Sequence, residues 1–74
     1  MNQVLDVKGL NCPLPVLKTR KALRDVPLGD LLTVLTTDPA STIDVRHFCN
    51  VSGQELIECS EADGVYTFVI RRTR

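Results

Sequence analysis

Apolar and polar positions alternate near the start of the chain, with Leu5 and Val7 set against Asp6 and Lys8. This period-two pattern over residues 4–8 predicts a short strand with one buried face, ended by Gly9. After Leu10-Asn11-Cys12, the stretch Pro13-Leu14-Pro15 opens a run of good helix formers that reaches Val26. A first turn tolerates proline because the missing N–H would have had no intrahelical partner, so the helix is predicted to begin at or just after Cys12. Val16, Thr19, Ala22, Leu23 and Val26 share one side of its wheel, with Leu17 as an outlier, and Lys18, Arg20, Lys21 and Arg24 hold the other. The helix therefore has a packing face and a basic face, and Pro27 with Gly29 stops it.

Residues 31–36, Leu-Leu-Thr-Val-Leu-Thr, are apolar and partly β-branched on both faces, which in so short a run favours an interior strand. Asp38-Pro39 then reads as an N-cap followed by proline at the first helical position, with Ser41 to Asp44 as a competing capping box. Either start gives a second helix running to about Val51, with Ile43, His47, Phe48 and Val51 as its expected inner residues and Ser52-Gly53 closing it. Residues 55–60 and 65–70 read as strands around Ala62-Asp63-Gly64, a hairpin signal with Asp-Gly at the turn.

The element order is β-α-β-α-β-β. Four strands and two helices in 74 residues leave no material for helices on both faces of a sheet. The expected fold is thus α+β: a two-layer α/β sandwich, a four-stranded mixed sheet with two helices on one face, the other face partly open. Residues 1–74 are read as a single domain. A chain this short buries only about 60% of its unfolded surface, so an enclosed pocket is hard to build and the chemistry is expected at the surface.

The nine basic and nine acidic residues cancel, which argues against binding DNA or RNA through bulk positive charge. The sum hides a segregation. From Lys8 to Arg24 there are five cations and no anion, from Asp38 to Asp63 six anions against Arg46, and the end Arg71-Arg72-Thr73-Arg74 is basic again and read as a frayed strand end. No apolar run approaches the roughly 20 residues that span a bilayer, and no basic segment followed by an apolar one marks the N-terminus. A soluble, cytoplasmic protein without membrane contact is expected. Three cysteines at positions 12, 49 and 59, odd in number and without C-x-x-C, fit neither a disulfide framework nor a zinc site. No metal and no cofactor are expected.

Cys12 carries the candidate chemistry. A cysteine where a strand ends and a helix begins sits in a loop at the positive end of the helix dipole, which favours thiolate. Pro13 and Pro15 shape the turn, and the Leu14 N–H and nearby cations are expected to hold the sulfur. The competing reading, a small buried cysteine, gives no reason for two flanking prolines. Cys49, beside Phe48, and Cys59, on the strand face of Ile57, are assigned to the core; a Cys12–Cys49 redox pair depends on a distance that sequence does not set. His47, the one histidine, is read as structural. Without a base or oxyanion set beside Cys12, a hydrolase is not indicated, and the cysteine looks like a carrier. Lys18, Arg20, Lys21 and Arg24 are either a solvated face or a docking surface, and Asp38 and Asp44 are most simply a cap and a first-turn anion, with hydrogen bonding near the first helix as a second role for either.

Cys12-Pro13-Leu14-Pro15, preceded by Gly9-Leu10-Asn11 and followed by a basic helix, resembles the Cys-Pro-x-Pro signature of the TusA/SirA-like sulfur-carrier family. Asp38-Pro39-Ala40 and Asp44 extend the resemblance over essentially the whole chain. Departures are Asp44-Val45-Arg46, where the family often has Asp-Ile-Pro, and Gly53-Gln54, where it often has Gly-His. The resemblance implies that Cys12 accepts sulfane sulfur as a persulfide from a cysteine desulfurase or rhodanese-like donor and passes it to a downstream acceptor protein. The pathways it implies are tRNA thiolation, sulfur oxidation, or cofactor and selenium metabolism. Such a protein is a sulfurtransferase-type carrier rather than a stand-alone multi-turnover enzyme. The alternative, from another class, is a regulatory module binding RNA or protein through its open sheet face or basic helix. RNA-binding sheets carry exposed aromatics, whereas Tyr66 and Phe68 share a face expected to be the core.

Overall fold

A computed structural model describes residues 3–74. The order is β1 (Gln3–Asp6), α1 (Leu14–Leu23), β2 (Leu31–Thr36), α2 (Ser41–Ser52), β3 (Glu55–Ala62) and β4 (Val65–Arg71). The strands form one sheet in the order β1-β2-β4-β3. β1 runs parallel to β2, and the β2–β4 and β4–β3 pairs are antiparallel. The fold is the expected mixed four-stranded sheet with both helices packed on one side.

Register shows how the core is assembled. Leu5 lies opposite Val34, Val34 opposite Phe68 and Phe68 opposite Cys59, so one row of inward residues crosses all four strands. The neighbouring row is Gln3, Leu32, Ile70 and Leu56. Val34, Leu32, Phe68 and Ile70, at its centre, are buried, and Leu23, Val26, Val45 and Cys49 close over them from the helix side. Removing these apolar side chains from water supplies the main drive to fold. Tyr66 also packs against this core, so both strand aromatics point inward, as expected.

Cys59 reaches the core by a route that differs from the expectation. The β3 register shifts between Leu56 and Glu58, leaving Ile57 as an extra, exposed residue. A bulge of this kind reverses the side-chain alternation beyond it. Cys59 consequently shares its inner face with Leu56, not with Ile57.

α1 stops at Leu23, short of the expected Val26. Amides of Arg24, Asp25 and Val26 bond back to the carbonyls of Lys21, Ala22 and Leu23 at 3.1–3.3 Å, an i→i−3 tightening that satisfies the helix end while keeping Val26 buried. Pro27 disfavours helical geometry at the residue before it. The inward face carries Pro15, Thr19 and Leu23, and Thr19 donates to the Pro15 carbonyl at 2.7 Å. Val16 and Ala22 flank that face half-buried.

The phase of α2 also differs from the reading of the sequence. Its buried residues are Ser41, Val45 and Cys49, and of the four expected inner residues only Phe48 packs on the core. Ile43 and Val51 are each 73% exposed, and His47 is exposed. The two stripes are offset by two residues, about 200° around a helix at 3.6 residues per turn. Small side chains let the helix approach the sheet, and Ser41 spans the gap with its hydroxyl 3.1 Å from that of Thr36. Ser41 is therefore inside the helix and not its cap. Gly53 ends α2 in the left-handed region at φ 77, and a Cβ there would come within 2.8 Å of the Arg74 Nε. The Asp63-Gly64 turn, with φ 52 and 81, matches the two positive values a tight hairpin requires.

The basic end is tied down rather than frayed. Arg72 Nη1 donates to the Val26 and Arg24 carbonyls at 2.7 and 3.2 Å, the Thr73 amide donates to Gln54 Oε1 at 2.7 Å, and the Thr73 hydroxyl bonds the Gly53 carbonyl. Arg72 thereby satisfies carbonyls left over where α1 ends.

Candidate functional site

Gly9 turns the chain out of β1, its amide donating to Thr37 Oγ1 at 2.9 Å, and Cys12 follows at the entrance to α1. The Cys12–Pro13 peptide is cis, Pro13 stands at the helix N-cap and Pro15 lies in the first turn. Cys12 is exposed. Its backbone is held across the fold: the Cys12 amide donates to Asp38 Oδ2 at 2.6 Å. Asp38 is itself fixed, with Oδ1 accepting from the Ala40 amide at 3.1 Å and its own amide donating to Thr36 Oγ1 at 3.1 Å. One carboxylate thus ties the loop before α1 to the turn before α2.

The Cys12 thiol opens onto a groove between the two helices, with a cavity of about 400 Å³. Val16, Phe48 and Val51 supply apolar walls, while Arg20, Asp44 and His47 bring charge or polarity to it. The exposure of Val51 and His47, unexplained by core packing, is accounted for by this groove. The Cys12 thiol thus lies at the surface, on an open cleft.

The electrostatics reverse the expectation of a favoured thiolate. The Asp44 carboxylate, in hydrogen-bonding contact with the thiol, raises the Cys12 pKa, aided by partial desolvation and by the charges of Asp44 and Asp38. A carboxylate stabilises the S–H as a donor and repels S⁻. Nor is the Leu14 N–H available to the sulfur, because it donates to the Asn11 carbonyl at 2.9 Å. Asp44→Asn removes both the acceptor charge and the repulsion. Its thiol is expected to react several-fold faster with iodoacetamide at pH 7, with the pH–rate midpoint displaced downward; an unchanged profile would contradict this role of Asp44.

Of the four α1 cations, Arg20 alone joins Cys12 in the groove. Arg24 lies with Arg20 on the flank toward α2 and the chain end, whereas Lys18 and Lys21 are on the flank toward β1 with Leu5 and Asp25. Cys49 is buried, and burial pushes its thiol up to about 11; Cys59 is half-buried. Asp38 and Asp44 are found where a hydrogen-bonding role near the first helix would place them, whereas the sequence reading missed His47 and Phe48 as neighbours of Cys12. The mismatch between apolar Ile43 and Val51 and a helix already supplied with Val45 and Cys49 was the signal that could have found their face.

The sulfurtransferase TusA family model matches residues 3–72. A relative from Neisseria meningitidis serogroup B is 47% identical over 70 residues, covering 95% of each chain. The sulfur carrier protein TusA of Allochromatium vinosum is 42% identical over 72 residues, covering 97% of this chain and 95% of its own. A crystal structure of a SirA-like protein from Desulfitobacterium hafniense superposes with a TM-score of 0.84 at 28% identity, over 97% of this chain and 99% of that one.

Proposed function

The chain belongs to the sulfurtransferase TusA family, and from that premise we propose that Cys12 is the atom on which it carries sulfur. The observation that supports this most is a contrast among three free cysteines: Cys12 is exposed at the mouth of an open groove, whereas Cys49 is buried and Cys59 half-buried. In the proposed step the Cys12 sulfur, once deprotonated, attacks the outer sulfur of a cysteine persulfide on the donor. The donor's S–S bond breaks, its thiolate leaves and takes up a proton, and the sulfane sulfur stays on Cys12 as a persulfide. Attack by an acceptor thiolate on that sulfur reverses the sequence and regenerates Cys12. No net oxidant is needed.

The donor is a cysteine desulfurase or a rhodanese-like protein, and the acceptor a downstream protein thiol in tRNA thiolation, sulfur oxidation, or cofactor or selenium metabolism. Pro13 and Pro15 shape the turn that presents the sulfur. Lys18, Arg20, Lys21 and Arg24 steer acidic partner surfaces, an effect expected on association rate and sensitive to salt. The site of action is the reducing cytoplasm, where an exposed thiol persists. No described helix is long and apolar enough to cross a membrane.

Incubating the chain with a cysteine desulfurase, cysteine and pyridoxal phosphate, then measuring intact mass, is expected to show a gain of one sulfur atom. Loss of that gain on adding dithiothreitol identifies a persulfide. Absence of the adduct with both desulfurase and rhodanese donors would overturn the reading.

A further inference from the structure

Beside the Cys12 groove lies a second, smaller cavity of about 150 Å³ whose lining includes Arg20, Arg24, Arg72 and Arg74, with Ser52 and Gln54. Four arginines from two parts of the chain, α1 with its end and the segment after β4, line it, with no Asp or Glu side chain among the lining residues. Among the described residues the ion pairs are Lys8–Asp6 at 3.7 Å and Arg71–Glu55 at 3.8 Å, and neither involves a residue of this pocket. A chain with as many acidic as basic residues has thus gathered four arginines around one cavity without an aspartate or glutamate beside them. Like charges held together raise the energy of the folded state unless an anion joins them.

The pocket is also built rather than incidental. Arg72 is fixed by the carbonyls of Val26 and Arg24 through Nη1 and by that of Arg74 through Nε at 2.8 Å, which leaves the two Nη2 protons for another acceptor. Arg74 packs over the glycine that ends α2. α1 sorts its cations by type: the arginines Arg20 and Arg24 face this pocket, and the lysines Lys18 and Lys21 face the opposite flank beside Asp25. The planar guanidinium fork matches phosphate oxygens two at a time, which an ammonium does not.

The geometry points to this pocket as a binding site for a phosphate group. A volume of about five waters suits a compact, multiply charged tetrahedral ion, and a single carboxylate offers too few oxygens and too little charge for four guanidiniums. The shared wall residues Arg20, Phe48 and Ser52 join the pocket to the Cys12 groove, so the organic part of a phosphate monoester would extend along that groove. This inference does not depend on sulfur transfer, because no step of the phosphate contact uses the thiol.

The test is a titration of the reduced full chain, followed by ¹H–¹⁵N correlation spectra, with sodium phosphate, with phenyl phosphate, and with chloride and acetate at matched ionic strength. Saturable shifts in the low-millimolar range are expected for phosphate at Arg20, Arg24, Ser52, Gln54 and Arg72. Arg24→Gln should weaken binding about tenfold while leaving the rest of the spectrum in place. Arg72 is unsuited as the variant because it also holds the end of α1. Tighter binding of phenyl phosphate, with added shifts at Val16 and Phe48, would identify an ester as the ligand, and equal binding would identify the free ion. Phosphate shifts no different from those of chloride, or acetate saturating the same amides as tightly, would overturn the proposal.

Discussion

Cys12→Ser is expected to abolish sulfur loading while leaving the fold intact, although two cysteines remain. The structural role of residue 12 runs through its backbone, whose amide meets Asp38 at 2.6 Å, and serine keeps that amide. The remaining thiols are poor substitutes. Cys49 is 3% exposed, with a pKa pushed up to about 11 by burial, so that roughly one molecule in a thousand is thiolate at pH 8. Cys59 faces Phe68 across the inner side of the hairpin. A full loss of the one-sulfur mass gain, with unchanged circular dichroism, is the predicted result. Loading of the variant at the wild-type rate would mean that the sulfur travels on another residue.

Phe68→Ala is expected to have the largest effect on stability. Phe68 is fully buried on β4, the strand between β2 and β3, and it joins Val34 to Cys59 across the sheet. Truncating a buried phenylalanine costs about 3–5 kcal/mol, because the lost transfer energy is augmented by the cavity left behind. A chain of 74 residues has a total of only about 4–11 kcal/mol at the usual stability per residue. The variant should therefore lose a large share of its stability, with its urea midpoint sharply lowered. A midpoint displaced by less than about 1 kcal/mol equivalent would show that the core does not hinge on this side chain.

The fold was readable because each element announces its period. Leu5 and Val7 alternate, α1 begins at paired prolines, and Asp63-Gly64 demands the turn it forms. The places where reading failed share a cause, since each depends on a contact between segments distant in sequence. The β3 bulge at Ile57 is defined by where β4 pairs with it, and neither strand signals this alone. The phase of α2 went astray because apolar content was equated with core, whereas Ile43 and Val51 are exposed and Val51 walls the groove. Tethering of the chain end by Arg72 likewise requires knowing that α1 stops beside it.

At the site, Cys12 was legible from Gly-Leu-Asn-Cys-Pro-Leu-Pro as an exposed loop cysteine, and its surroundings were not. The dipole argument treated the helix start in isolation, yet Asn11 occupies the Leu14 amide and Asp44 arrives from α2. Asp44 therefore raises the pKa of the thiol where the dipole alone would lower it. The segregated charges of a neutral chain find a physical form as well, with arginines on one flank of α1 and lysines on the other.

The central claim is that the sulfur rides on Cys12, and peptide mapping of the loaded chain tests it most directly. Under non-reducing conditions trypsin releases residues 9–18, which contain Cys12, separately from residues 47–71, which contain both Cys49 and Cys59. The added mass of one sulfur atom is predicted on the first peptide and absent from the second. Sulfur found on residues 47–71, with residues 9–18 unmodified, would contradict the account.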